Sequence, residues 1–161
     1  MKTRDVARAV ILVAVAVALS PLFIPVGIAK CYPAQHMVNV LSAVMLGPFY
    51  SLVIATLAAV IRNLMGLGTL LAFPGGMIGA LLAGLAYRRF KKIYMAGLGE
   101  VIGTGIFGSL ASLWIVATIF VGILIATVTL INAFSWSTMA GSITGIIVLR
   151  LLRRAGVWKE L

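Results

Sequence analysis

A handful of polar side chains interrupt an otherwise apolar chain: Gln35, His36, Asn39, Arg62, Asn63 and Glu100. Together they offer one anion, one cation, one imidazole and several amide groups. Such groups are costly in an apolar bundle unless they face a cavity or one another, so their types predict a shared site. His36 and Asn39 are three residues apart and share a helix face; Glu100 and Thr104, four apart, share another. With a helical rise of 1.5 Å per residue, Asn39 stands ~12 Å and His36 ~16 Å above the Gly47-Pro48 turn. Arg62 stands ~21 Å up the following helix and Glu100 ~10 Å above Ile93. Asn39 and Glu100 are thus expected at one level near mid-membrane, flooring an outward-opening cavity, with His36, Arg62 and Asn63 nearer its mouth. Tyr32, Phe73, Trp114 and Trp136 are aromatic surfaces able to stack on a flat ring.

These residues also have plainer readings. His36 can satisfy a loop carbonyl. Arg62 can reach the outer surface along its own stem or pair with Glu100. The two tryptophans can anchor the membrane interface. A lone carboxylate at Glu100 has fewer alternatives, and we expect it to contact a ligand or to hold a residue that does. Metal binding is not expected, because the single histidine has no cysteine or carboxylate beside it in sequence. Enzymatic chemistry is not expected either: no nucleophile–base pair or second carboxylate stands at a useful spacing. No GxxxxGK[ST] phosphate loop occurs, so any ATP is hydrolysed elsewhere.

The elements that must position these groups follow from composition. Of 161 residues, 63% are hydrophobic and 10% charged, and the mean hydropathy is +1.19. The apolar runs are continuous rather than alternating, which favours helices over a barrel. The expected fold is an all-α integral membrane protein, one domain of six transmembrane helices over about 6–23, 34–46, 48–64, 73–87, 94–112 and 130–152. Pro21, Pro25 and Gly27 end the first, and Gly47-Pro48 turns between the second and third. The net charge of +10 is concentrated at Lys2, Arg4 and Arg8, at Arg88, Arg89, Lys91 and Lys92, and at Arg150, Arg153, Arg154 and Lys159. This is the positive-inside pattern. It predicts a multi-pass protein of the cytoplasmic membrane with both termini inside, and no nucleic-acid partner, since no aromatic-interleaved basic groove accompanies the charge.

Both flanks of the stretch 93–149 are basic, so it crosses the bilayer an even number of times. Two crossings leave 113–129 as an outer connection, too apolar for an exposed loop and expected to extend a helix or lie against the bundle. The amino-terminal twenty residues have signal-peptide features, but Pro21 would hinder cleavage, and a retained helix is expected. Cys31 is the lone cysteine, which precludes an intrachain disulfide. Small-xxx-small pairs at Ala14/Ala18, Gly75/Gly79, Gly99/Gly103 and Gly141/Gly145 permit close helix contact.

The segments PAQHMVN (33–39), LGPFYS (46–51), IRNLMGLGTLLAFPGGMIGA (61–80) and GEVIGTG (99–105) resemble the ThiW family over roughly residues 5–154. These are thiazole-specific substrate-binding (S) components of energy-coupling factor transporters. The resemblance implies a six-helix subunit without its own cofactor. It captures the thiamin precursor 4-methyl-5-(2-hydroxyethyl)thiazole outside the cell and delivers it inward, the whole subunit toppling in the membrane. Its implied partners are a transmembrane coupling subunit and two ATP-binding-cassette ATPases that hold the ATP and Mg. Docking on that subunit is implied for the small-residue face of Ala14 and Ala18. The expected ligand residues are Tyr32, Gln35, His36, Asn39, Arg62, Asn63, Phe73, Glu100, Thr104 and Trp136. Another thiamin-related ring as substrate, or a stand-alone carrier, is the alternative.

Overall fold

The computed structural model describes residues 3–26, 29–70, 72–119 and 123–157. Helix α1 (Thr3–Ala18) stops short of the expected Phe23. The Ser20 hydroxyl donates back to the Ala16 carbonyl at 2.7 Å, and Pro21 has no N–H with which to continue the ladder. Two short antiparallel strands follow, β1 (Ile24–Val26) and β2 (Ala29–Cys31), with Ile24 opposite Cys31 and Pro25 opposite Lys30. The sequence reading had only a loop there. Pro33 then opens α2 (Pro33–Leu46), at a position where a missing N–H costs no helical bond.

Gly47 makes the sharp turn into α3 (Pro48–Leu64) with φ 88°, a left-handed conformation that glycine adopts without strain. Helix α4 (Ala72–Phe90) runs back to the basic turn. Helix α5 (Ile93–Ile102) continues through a π-helical turn, Gly103–Gly108, into α6 (Ser109–Ile119). Helix α7 (Ile123–Arg154) has 32 residues. The expected outer connection 113–129 is therefore helical up to Ile119 and again from Ile123, residues 120–122 lying outside the described residues. Nothing polar enough to stop a helix occurs between Ser112 and Leu130 apart from three threonines, so both helices run on.

Among the described residues the helices form six rods, with α5, the π turn and α6 making one of them. Helices α2 and α4 occupy the middle: α4 packs on α2, α3 and α5, and α2 also packs on α7, while α1 lies against α3 and α2. Two rods, Ile93–Trp114 and Leu130–Arg154, are long and apolar enough to cross a membrane. Their outward faces carry exposed Leu98, Ile106, Phe107, Leu110, Ile143 and Ile147. Of the other rods only α1 is shorter than expected, α3 matches its expected bounds, and α2 and α4 run slightly longer. The 14 residues of α2 cover ~21 Å, against ~30 Å of hydrocarbon.

The main core joins Leu12, Val38, Val40, Leu41, Val44, Ile54, Tyr87 and Leu149 at the basic end of the bundle. A smaller cluster, Cys31, Leu130, Ala133 and Phe134, closes the opposite end. Between them α4 and the α5 rod touch backbone to backbone. A Cβ on Gly103 would stand 2.6 Å from Gly79 Cα, and one on Gly108 2.6 Å from Gly75 Cα. Of the four small-residue pairs, three lie at such crossings. Gly99 and Gly103 meet α4, and Gly141 and Gly145 meet α2. Ala14 and Ala18 instead face outward from α1.

Candidate functional site

The polar residues of α2, α3 and the α5 rod converge between the two apolar clusters. Glu100 is fully buried, and its Oε1 is the focus. It lies 2.8 Å from His36 Nδ1 and accepts from Asn39 Nδ2 at 3.0 Å and from Thr104 Oγ1 at 3.0 Å. A carboxylate only accepts, so the His36 proton sits on Nδ1, and Nε2 is the nitrogen left for a guest. Asn39 also donates to the Gly76 carbonyl at 3.2 Å, and Thr104 lies 3.0 Å from that of Gly75. The second carboxylate oxygen, Oε2, has no hydrogen-bond partner among the described residues.

Arg62 forms the other arm. It is fully buried, which excludes the surface-reaching role. Its Nε donates to the Ala58 carbonyl at 3.3 Å and Nη2 donates to Gln35 Oε1 at 2.5 Å. The guanidinium carbon lies 4.7 Å from the centroid of the Tyr32 ring, a favourable cation–π placement. Direct pairing with Glu100, one of the sequence alternatives, is not what the chain adopts: the side chain found against Glu100 is His36. Nη1 of Arg62 has no hydrogen-bond partner among the described residues. A buried donor and a buried acceptor thus stand unsatisfied in one cluster, each costing about 1–3 kcal/mol.

Glycines make room for the cluster. A Cβ on Gly79 would fall 1.9 Å from Thr104 Oγ1 and 2.7 Å from Glu100 Oε2. One on Gly76 would fall 2.0 Å from Gln35 Nε2, and one on Gly141 2.6 Å from His36 Cβ. The π turn begins three residues after Glu100 and contains Thr104. Its extra backbone residue lets Thr104 face Glu100 while α6 continues in a new phase.

A cavity of about 20 Å³ lies against this cluster, lined by Lys30, Tyr32, Gln35, His36, Thr104 and Ser137 among others. That is room for about one water. Glu100 and Asn39, expected as its floor, are set behind His36 and Thr104 rather than in the wall. The end of the hairpin covers the cavity. Cys31 Sγ donates to the Ala133 carbonyl at 3.3 Å, and the Tyr32 hydroxyl donates to the Leu67 carbonyl. Burial pushes the Cys31 thiol above its ordinary range, so it stays a neutral, weakly nucleophilic group.

The remaining expected residues fall elsewhere. Asn63 is half-buried and closes the turn after α3, donating to Ala59 at 2.8 Å and to Thr69 at 3.4 Å. Phe73 is half-buried in the first turn of α4 and is not part of the cavity wall. Trp136 corrects the sequence reading: it is 71% exposed, outside the bundle, because its neighbours Ser137 and Thr138 take the inward face of α7. Sequence reasoning missed Lys30, Thr69, Phe134 and Ser137 in the wall. Ser137 Oγ is buried without a partner. A serine three residues from an isolated phenylalanine in an apolar helix carries no signal by type alone.

The arrangement is suited to holding a ligand. The Thr104 hydroxyl bonds the carboxylate rather than the imidazole, so His36 is not placed to take its proton. Among the described residues no three His, Cys, Asp or Glu side chains form a metal-sized group. The family model of the thiamine-precursor transporter protein (ThiW) matches residues 6–155, nearly the whole chain. No curated protein and no solved structure matches.

Proposed function

The chain belongs to the ThiW family of thiamine-precursor transporters, and on that premise we propose that it is the substrate-binding subunit of an energy-coupling factor importer. Its ligand in this reading is 4-methyl-5-(2-hydroxyethyl)thiazole, bound between the hairpin and the Glu100 cluster. The observation that carries the proposal is the lidded cavity whose wall holds Gln35, His36, Thr104 and the buried Ser137 hydroxyl, which has no hydrogen-bond partner among the described residues. A small neutral ring with one hydroxyl and one ring nitrogen supplies partners for the His36 imidazole and for the Ser137 hydroxyl, both in the wall. Tyr32 and Phe134 supply apolar ring surface of the kind that lines small-molecule sites.

A guest larger than a water needs the cavity to open, and the hairpin is the element to move. It is held by one thiol bond and one phenol bond. The basic end of the bundle faces the cytoplasm of the cell membrane in this reading, with both termini inside and the hairpin outside. Partner subunits supply ATP hydrolysis, and the outward Ala14/Ala18 face of α1 is where the coupling subunit docks. That face borders an apolar groove of about 620 Å³ between α1 and α3.

Calorimetry on the purified protein without ATP tests the ligand. Submicromolar binding of hydroxyethylthiazole is expected. Heat with thiamin or its pyrimidine precursor but none with the thiazole reassigns the substrate. Uptake in vesicles lacking the coupling subunit and ATPases makes the protein a stand-alone carrier.

A further inference from the structure

At the basic end, two segments far apart in sequence meet. The α4–α5 turn brings Lys91 and Lys92, and the last turns of α7 bring Arg150, Arg153 and Arg154, around one open pocket of about 500 Å³. Its remaining walls are Ile93 and Tyr94, with no carboxylate among them. Lys92 lies 5.7 Å over the Tyr94 ring and Lys91 5.9 Å over that of Tyr87, so both lysine stems are drawn along the protein surface. Lys91 adopts φ 56°, a conformation unusual for a side-chain-bearing residue. It turns the chain so that α5 starts beside the end of α7.

Directly along the same two helices runs a second depression. It is an apolar groove of about 410 Å³ between α5 and α7, lined by Tyr94, Gly97, Leu98, Val101, Met139, Ser142, Ile143 and Ile146. Tyr94 belongs to both. Gly97 keeps the groove open, since a Cβ there would stand 2.8 Å from Ile146 Cδ1. The combined surface is a cationic pocket leading into an apolar furrow on the membrane-facing side of the bundle.

We propose that this is a binding site for one anionic phospholipid, its phosphate held by Lys91, Lys92, Arg150 and Arg154 and an acyl chain in the α5–α7 groove. Charge complementarity selects the headgroup: Lys91, Lys92, Arg150 and Arg154 line the pocket and no acid stands among its described walls, which favours an anion, and a zwitterionic head brings its own cation. The adjoining groove selects a lipid over a soluble phosphate, because a free anion leaves the apolar half empty. Basic pockets between membrane helices bind anionic headgroups on these grounds. The site lies at the basic end, apart from the mid-bundle Glu100 cluster, and does not depend on which ligand that cluster takes.

The test is lipid retention by the full chain purified in detergent, read by native mass spectrometry after equilibration with dioleoyl phosphatidylglycerol or phosphatidylcholine. The wild-type protein is expected to keep one phosphatidylglycerol and no phosphatidylcholine. Arg150→Gln/Arg154→Gln is expected to weaken retention by roughly thirtyfold, and Lys91→Gln/Lys92→Gln to do the same from the other segment. Arg4→Gln/Arg8→Gln removes equal charge elsewhere and should leave retention unchanged. Equal loss in that control reduces the effect to bulk charge and overturns the proposal. Displacement of the lipid by millimolar glycerol phosphate overturns it in favour of a soluble anion.

Discussion

The carboxylate at Glu100 was legible from the sequence because it is an ionised type in a run of Gly, Leu and Ile, and the same contrast marks His36, Asn39, Gln35 and Arg62. Their meeting was legible from helix phase. The wall of the cavity was not, since Ser137, Phe134 and Thr69 are ordinary residues of apolar helices and loops. The structure adds a rank among the polar groups: one carboxylate oxygen holds three donors and the other holds none. Glu100→Gln keeps the shape but turns a charged acceptor neutral. Hydrogen bonds to charged groups contribute ~1.5–3 kcal/mol, so thiazole affinity should fall roughly ten- to hundredfold, measured by calorimetry with helical circular dichroism unchanged. Gly79→Ala tests the same cluster sterically. Its Cβ collides with Thr104 Oγ1 and Glu100 Oε2, and both melting temperature and affinity should drop. Unchanged values would mean that α4 shifts freely there.

Among the elements, the turns were easiest to read. Pro33 and the Gly47-Pro48 pair are local signals, and the structure begins or breaks helices at both. The hairpin and the π turn were not readable. Strands of three residues carry too little pattern, and a π turn differs from an α turn by one residue that leaves no mark in GTGIFG. The hairpin has the clearest consequence. It is tied to the bundle through the Tyr32 hydroxyl and Cys31, so Tyr32→Phe loosens one end while preserving the ring over Arg62. Stopped-flow measurement should show faster ligand release, with a smaller effect on folding. For α1, Ala14→Leu or Ala18→Leu fills an outward face. Ligand binding should survive and co-purification of the coupling subunit should fail. If pull-down persists in both variants, docking uses another helix.

At the scale of the whole molecule, composition and charge placement announced a helical membrane protein, and the family match agrees. Exact spans were less legible: helix length is set by packing as well as by bilayer thickness, so α2 is short and α7 long. The gathering of cations at one end also bears on energetics in a living cell. Moving one elementary charge across a membrane potential of 100 mV involves about 2.3 kcal/mol of electrical work. Carrying even two of these cations outward against an inside-negative voltage would slow each cycle about a thousandfold or more. With the basic end on the inner face, as proposed, a delivery that pivots about that end leaves its charges at rest in the field. Uptake of the neutral substrate by polarised and depolarised proteoliposomes should then proceed at nearly the same rate.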